Sequence, residues 1–189
     1  MRHVPLALAL ACCACSQADE KAAAAPSTAV TAAPEVLPED SGPAPASITK
    51  PAALGPEGLG GIVVGQAPPA LLKVDAVQIS EGCQTHTDKA RGISVMTDGK
   101  EVTRITAMRA SKVLTAQGIG LGASEAQVRA AYPDAREEPH KYVAAPAKYL
   151  DWRPGGGDAG LRFEIDERGK VNMIHAGREP YLSYVEGCA

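Results

Sequence analysis

Long apolar runs are missing from this 189-residue chain. The longest near the start, Leu6 to Ala11, falls well short of the roughly 20 residues a membrane-spanning helix needs, so a retained transmembrane anchor is not expected. A basic surplus is missing too. The formal net charge is −3, and of 19 basic and 22 acidic side chains 16 of each lie beyond residue 57. Nucleic-acid binding driven by counterion release needs an excess of positive charge on one face, so that class is excluded. The marks of several common catalytic centres are absent. There is no Gly-x-Ser-x-Gly elbow, and His86, His140 and His175 stand in no His-Glu-x-x-His or His-x-His setting. Gly155-Gly156-Gly157-Asp158 lacks the Lys-Ser/Thr of a phosphate loop and leads into a strand-like segment, so it reads as a flexible loop. Aromatic residues make up only 4%, and all lie between Tyr132 and Tyr184.

What the N-terminus does have is the layout of an export signal over residues 1–14: Arg2, a short Leu/Ala stretch, then small residues and cysteines. Cys12, Cys13 and Cys15 fall where a lipobox ends. Ala14-Cys15-Ser16 resembles the end of a lipoprotein signal, with Cys12 where Leu is usual; Ala9-Leu10-Ala11-Cys12 is a second register. Cys15 is preferred for lipidation, with Cys12 as the alternative, because it leaves a longer apolar region and is followed by polar Ser16 and Gln17. Acyl chains contribute about 0.8 kcal/mol per buried CH₂, which gives firm anchoring. Ser16, rather than Asp, after the cysteine resembles outer-membrane sorting. The expected address is the bacterial outer membrane, with the domain facing the periplasm or the cell surface.

Residues 15–57 are rich in Ala, Pro, Ser and Thr, contain no aromatic residue and hold two lysines (Lys21, Lys50) against six carboxylates. This composition reads as a disordered, semi-extended linker. Residues 58–189 read as one domain built from an internal duplication, about 58–115 and 116–189. Gly61-Ile62-Val63-Val64-Gly65 parallels Gly118-Ile119-Gly120-Leu121-Gly122 as a strand-like opening. Ile93 to Thr106, turning at Asp98-Gly99 as a two-residue hairpin, parallels Leu161 to His175, turning at Asp166 to Gly169. Ser124 and Gln127 form a capping box for a helix that Pro133 stops. Pro68 and Pro69 open a short helix through Ala70 to Val74. Leu161, Phe163 and Ile165 alternate with polar residues, the pattern of a half-buried strand. The expected fold class is α+β, in two tandem half-units, each a short helix packed on a small antiparallel sheet with a β-hairpin.

The segment Gly120 to Tyr132, followed by a hairpin carrying Gly169-Lys170-Val171, resembles the BamE-type lipoprotein fold, which implies a helix packed on a small antiparallel sheet. Asp98 to Ile105, Pro139-His140-Lys141-Tyr142 and the terminal Val185-Glu186-Gly187-Cys188 are similar to a group of uncharacterised exported bacterial proteins. That second resemblance covers most of the domain and implies no function.

Cys83 and Cys188 are the only cysteines of the domain. An oxidising compartment would join them across about 105 residues, contributing on the order of 4 kcal/mol; the alternative is a Cys83–His86 metal pair, which lacks the further ligands zinc wants. No metal and no cofactor is expected. Six residues are ligand-binding candidates. Tyr142, Tyr149 and Trp152, with His140 beside them, could offer an aromatic platform to a sugar or peptide, or Tyr149 and Trp152 could simply pack in a strand. Arg104 and Arg178 occupy matching positions after the two hairpins and could hold an anion or pair with Glu164 and Glu179. Catalytic residues are not identified. The leading expectation is a non-enzymatic envelope lipoprotein contacting another envelope protein. A lectin-like glycan-binding module is the second. A hydrolase is the third, and it would require His140 to meet Asp151 or Glu137.

Overall fold

The structure, a computed structural model, describes residues 53–72 and 82–188. The segment read as an export signal, with Cys12 and Cys15, most of the segment read as a linker, and the residues from 73 to 81 lie outside the described residues. Among the described residues no helix is long and apolar enough to cross a membrane.

Three short strands, β1 (Leu54–Gly55), β2 (Gly58–Leu59) and β3 (Ile62–Val63), pair antiparallel in that order. Leu54 is fully buried and pairs with Leu59, ahead of the boundary expected at residue 58. Seven further strands are β4 (Gln84–Asp88), β5 (Ile93–Thr97), β6 (Val102–Met108), β7 (Arg136–Pro139), β8 (Lys148–Trp152), β9 (Ala159–Ile165) and β10 (Val171–Arg178). They form one antiparallel sheet in the order β4-β5-β6-β10-β9-β8-β7.

Both hairpins turn on an aspartate. Asp98 Oδ1 accepts from the backbone N–H of Lys100 and Glu101 (3.0 and 2.9 Å), and Asp166 Oδ1 accepts from those of Arg168 and Lys170 (2.9 and 2.8 Å). Such side-chain acceptors substitute for missing ladder bonds in a turn. The first loop is longer than the two residues expected. Thr97 pairs with Val102, and a bulge follows at Thr103. The two glycine-ended segments meet the hairpins alike. Gly65 N–H donates to Val102 and Val102 N–H to Gln66 (both 2.8 Å); Gly122 N–H donates to Val171 (2.8 Å) and Val171 N–H to Ala123 (2.9 Å). Of these two segments only the first carries a strand; the second is a turn.

The single α-helix among the described residues, α1 (Glu125–Ala131), starts at the Ser124–Gln127 capping box. Val128 and Tyr132 face the core, where the Tyr132 ring lies 4.9 Å from that of Trp152 and 5.1 Å from that of Phe163. With the small sheet, α1 covers the face that carries Val95, Ile105, Ile174 and Phe163.

The expected α+β class, with a helix on a small sheet in each half, is therefore corrected. The fold is mostly β. Two physical reasons account for the difference. Ala70 to Leu72 form a turn behind Pro68 and Pro69, neither of which can donate a backbone hydrogen bond; the remainder of the expected Ala70–Val74 helix lies outside the described residues. The hairpins do not stay separate either. β6 and β10 pair antiparallel from Arg104↔Gly177 to Met108↔Met173, which removes two open edges and fuses both hairpins into one sheet.

Candidate functional site

Cross-strand partners share a face of an antiparallel sheet. Thr106 is opposite His175, His175 opposite Arg162, Arg162 opposite Asp151, and Tyr149 opposite both Glu164 and Glu138. Arg104, two residues before Thr106 on the same strand, joins them. These residues make a polar row across the face opposite the core. Their alternation predicts contact with water, yet Arg104, Thr106, Asp151, Arg162, Glu164 and His175 are all buried.

Two segments cover the row. One is a C-terminal strap, residues 179–188, held by two arginines that rise from the sheet. Arg104 donates to the carbonyls of Tyr181 (3.2 Å) and Tyr184, and Arg162 to that of Ser183 (3.3 Å). Leu182 is fully buried beside Gly160, where a Cβ would lie 3.3 Å from the leucine and 2.6 Å from the Trp152 carbonyl oxygen. The strap ends in the disulfide between Cys188 and Cys83, with the Cα atoms 5.5 Å apart. The preceding residues, Gly187 (φ +70°) and Gly82 (φ +81°), both adopt the left-handed conformation that glycine accepts without steric cost. A Gly-Cys pair thus stands at each end of one covalent link.

The second cover is the loop at residues 140–147. His140 Nδ1 accepts from the N–H groups of Tyr142 and Val143 (both 3.2 Å), and its ring stacks on Tyr149 with centroids 4.6 Å apart. The Tyr142 hydroxyl hydrogen-bonds Glu186 on the strap. Loop and strap together form an arch over the polar face.

Beneath the arch the charges are paired. Arg162 forks onto Asp151 (Nε–Oδ1 2.7 Å, Nη2–Oδ2 2.6 Å), reaches Glu138 at 2.7 Å, and sets its guanidinium carbon 4.6 Å from the centre of the Tyr149 ring. Asp151 holds this bidentate geometry because it directly opposes Arg162 in the sheet. Burial lowers Arg104 to about 10, against the opposing pull of Glu164, and its Nε has no hydrogen-bond partner. Thr106 Oγ1 lies 2.9 Å from His175 Nδ1, and His175 Nε2 lies 3.6 Å from Glu164. Burial lowers the His175 pKa, and nearby Arg104 adds to the effect. Burial alone would raise that of Glu164, but His175, His140 and Arg104 outweigh it and leave the carboxyl below its ordinary range. With the imidazole neutral, Arg104 and Arg162 are the full positive charges that act on it. A hydroxyl, an imidazole and a carboxylate in sequence have the order of a proton relay.

Of the six candidates, the structure brings His140, Tyr142, Tyr149 and Arg104 to this one face. Trp152 is not with them. It lies three residues after Tyr149 in the same strand, on the opposite face, against Tyr132. The expected three-ring platform is therefore not assembled. Arg178 ends β10 and approaches Glu57 at 3.8 Å on the surface. Arg104 is buried mid-strand, so the two arginines do not occupy matching places, and Glu179 pairs with Arg153 instead. Asp151 is held by Arg162, and Glu137 by Arg129 and Lys148, so neither is joined to His140 by an ion pair or hydrogen bond. No group of three or more His, Cys, Asp or Glu among the described residues could hold a metal. Sequence reasoning missed Arg162, Glu164, His175 and Thr106 as members of the site. The signal was present in the charged residues alternating with Leu161, Phe163 and Ile165; only the cover was invisible. The chain matches no family model, no curated protein and no solved structure.

Proposed function

We propose that this chain is a lipid-anchored envelope protein whose domain is a non-enzymatic module that docks another envelope protein on the arch. One observation carries the reading. Of five exposed large hydrophobic side chains among the described residues, three (Tyr142, Tyr184 and Val185) lie on the arch. Tyrosine supplies wide contact area with a polar tip at low entropic cost and is enriched where partners bind. The mount beneath them is rigid, because two buried arginines and a disulfide fix the strap. A preorganised surface loses less entropy on binding than a flexible one. The anchor in this reading is the acylated Cys15, or Cys12, and the address the outer membrane.

The test is photo-crosslinking in envelope membranes with a benzophenone amino acid at Val185. A reproducible protein adduct, lost when Tyr142→Ala and Tyr184→Ala are combined, supports the reading. Recovery of glycan alone, or of nothing, overturns it. Replacing both Cys12 and Cys15 tests the anchor: undiminished membrane association would refute lipidation.

The Thr106–His175–Glu164 alignment favours a second reading, an envelope hydrolase opened by movement of the arch. A fluorophosphonate probe distinguishes it: adduct formation at Thr106 that His175→Gln abolishes supports hydrolysis, and no adduct with the arch loosened by Tyr142→Ala rejects it.

A further inference from the structure

A second concavity flanks the same sheet face at the far end of β4, β5 and β6. It is a groove of about 570 Å³, within the roughly 300–1,000 Å³ span of small-molecule sites. Thr85, Ser94 and Met108 form its floor, and Ala90 and Ala110 its apolar walls. Thr85 also touches Cys188 at the strap's end, through a 3.6 Å hydroxyl–sulfur contact. No aromatic side chain lines the groove, so a sugar ring or a base would find no face to stack on. Methionine and alanine walls instead suit a flexible alkyl chain.

The rim is cationic. Lys89 and Arg109 line it, and neither makes an ion pair among the described residues. The one carboxylate there, Asp88, is already engaged: its Oδ2 lies 2.7 Å from Arg91 Nε and its Oδ1 accepts the Arg91 N–H. Its pKa is lowered, first by that backbone hydrogen bond and then by the guanidinium. Arg109 is also the only non-glycine among the described residues with a positive φ, +56°. A long side chain held in the left-handed region is strained, and such strain concentrates at ligand clamps.

We propose that this groove binds a single-chain amphipathic anion, the carboxylate form of a fatty acid, with its alkyl chain along Met108, Ala90 and Ala110 and its carboxylate between Lys89 and Arg109. The occupant follows from charge and wall chemistry together. Two cations without an ion pair among the described residues suit an anion, and the apolar walls suit an alkyl tail rather than a ring.

The test uses the full chain with dodecanoate below its micelle concentration, by isothermal titration calorimetry, with dodecanol as the neutral counterpart. Saturable one-to-one binding of dodecanoate is expected, with dodecanol weaker. Lys89→Gln with Arg109→Gln should weaken dodecanoate by about tenfold or more and leave dodecanol unchanged. Ser94→Trp, which fills the floor, should abolish both. Lys89→Arg, which preserves charge, should bind as the parent does, and thermal unfolding of every variant shows whether it is folded. No saturable binding by the parent chain, or equal dodecanoate affinity in the parent and the folded double-glutamine variant, overturns the proposal.

Discussion

Replacing Asp151 by leucine is the sharpest test of how the polar face is held. The Arg162 and Asp151 side chains are 6% and 2% exposed, and two short hydrogen bonds join them. Removing one partner of a buried pair leaves the other charge without its counterion, which costs roughly 3–5 kcal/mol. Arg162 would keep Glu138, the Ser183 carbonyl and the Tyr149 ring. Because Glu138 is mostly exposed, this residual support softens the loss only partly, so the expected cost is about 3 kcal/mol, a fall in Tm of roughly 10 °C for a domain of this size. Adding Arg162→Met removes the stranded charge and should restore part of the loss. It should not restore all of it, since the Ser183 carbonyl would then lack its donor, a penalty of about 1–3 kcal/mol. Urea denaturation of the parent, both single variants and the double variant closes the cycle. A loss below about 1 kcal/mol in Asp151→Leu, or a double variant whose loss equals the sum of the singles, would refute the account of a tightly coupled buried pair.

Other consequences follow from the same geometry. Cys83→Ser with Cys188→Ser opens a link spanning 105 residues and should lower stability by about 4 kcal/mol, read from the urea midpoint of oxidised parent and variant; an unchanged midpoint contradicts a strap that depends on the bond. Trp152→Ala, which removes the ring packed on Tyr132, should destabilise by about 3 kcal/mol while leaving crosslinking at the arch intact. Stability should fall on acidification below about pH 6.5. His175 has a lowered pKa in the folded state, so the unfolded chain takes up a proton there first and is favoured as pH drops from the ordinary histidine value toward the folded one. Glu164, also lowered, contributes stability above its ordinary value that is lost as pH falls through its folded one. His175→Gln should flatten the upper part of that profile in a pH series of thermal melts; an unaltered slope between pH 6.5 and 5 would count against a buried neutral imidazole.

Much of the local structure was legible. The Ser124–Gln127 box, the aspartate-led turns, the 161–165 strand and the Cys83–Cys188 pairing each depend on a few adjacent residues or on the scarcity of partners, and each is visible without a third dimension. The fold class was not. A repeated strand–hairpin pattern says nothing about whether two hairpins stay apart, because the β6–β10 pairing joins residues about 70 positions distant. The site was half legible: His140, Tyr142, Tyr149 and Arg104 stood out by type, but Trp152 was grouped with Tyr149 although an odd spacing sends it to the other face.

The sequence by itself determined where the hairpins turn, though not the length of the first loop, together with the helix cap, the alternation along β9 and the supply of two domain cysteines, because these are set by backbone conformation and by side chains within a few residues of one another. Only the tertiary structure decided that the polar side of that alternation is buried. Burying Arg104, Arg162, Glu164 and His175 requires the strap and the loop at residues 140–147 to arrive from distant parts of the chain and supply carbonyls, a stacked ring and a disulfide. Charged groups leave water only where partners are already in place, and placing those partners is a property of the whole fold.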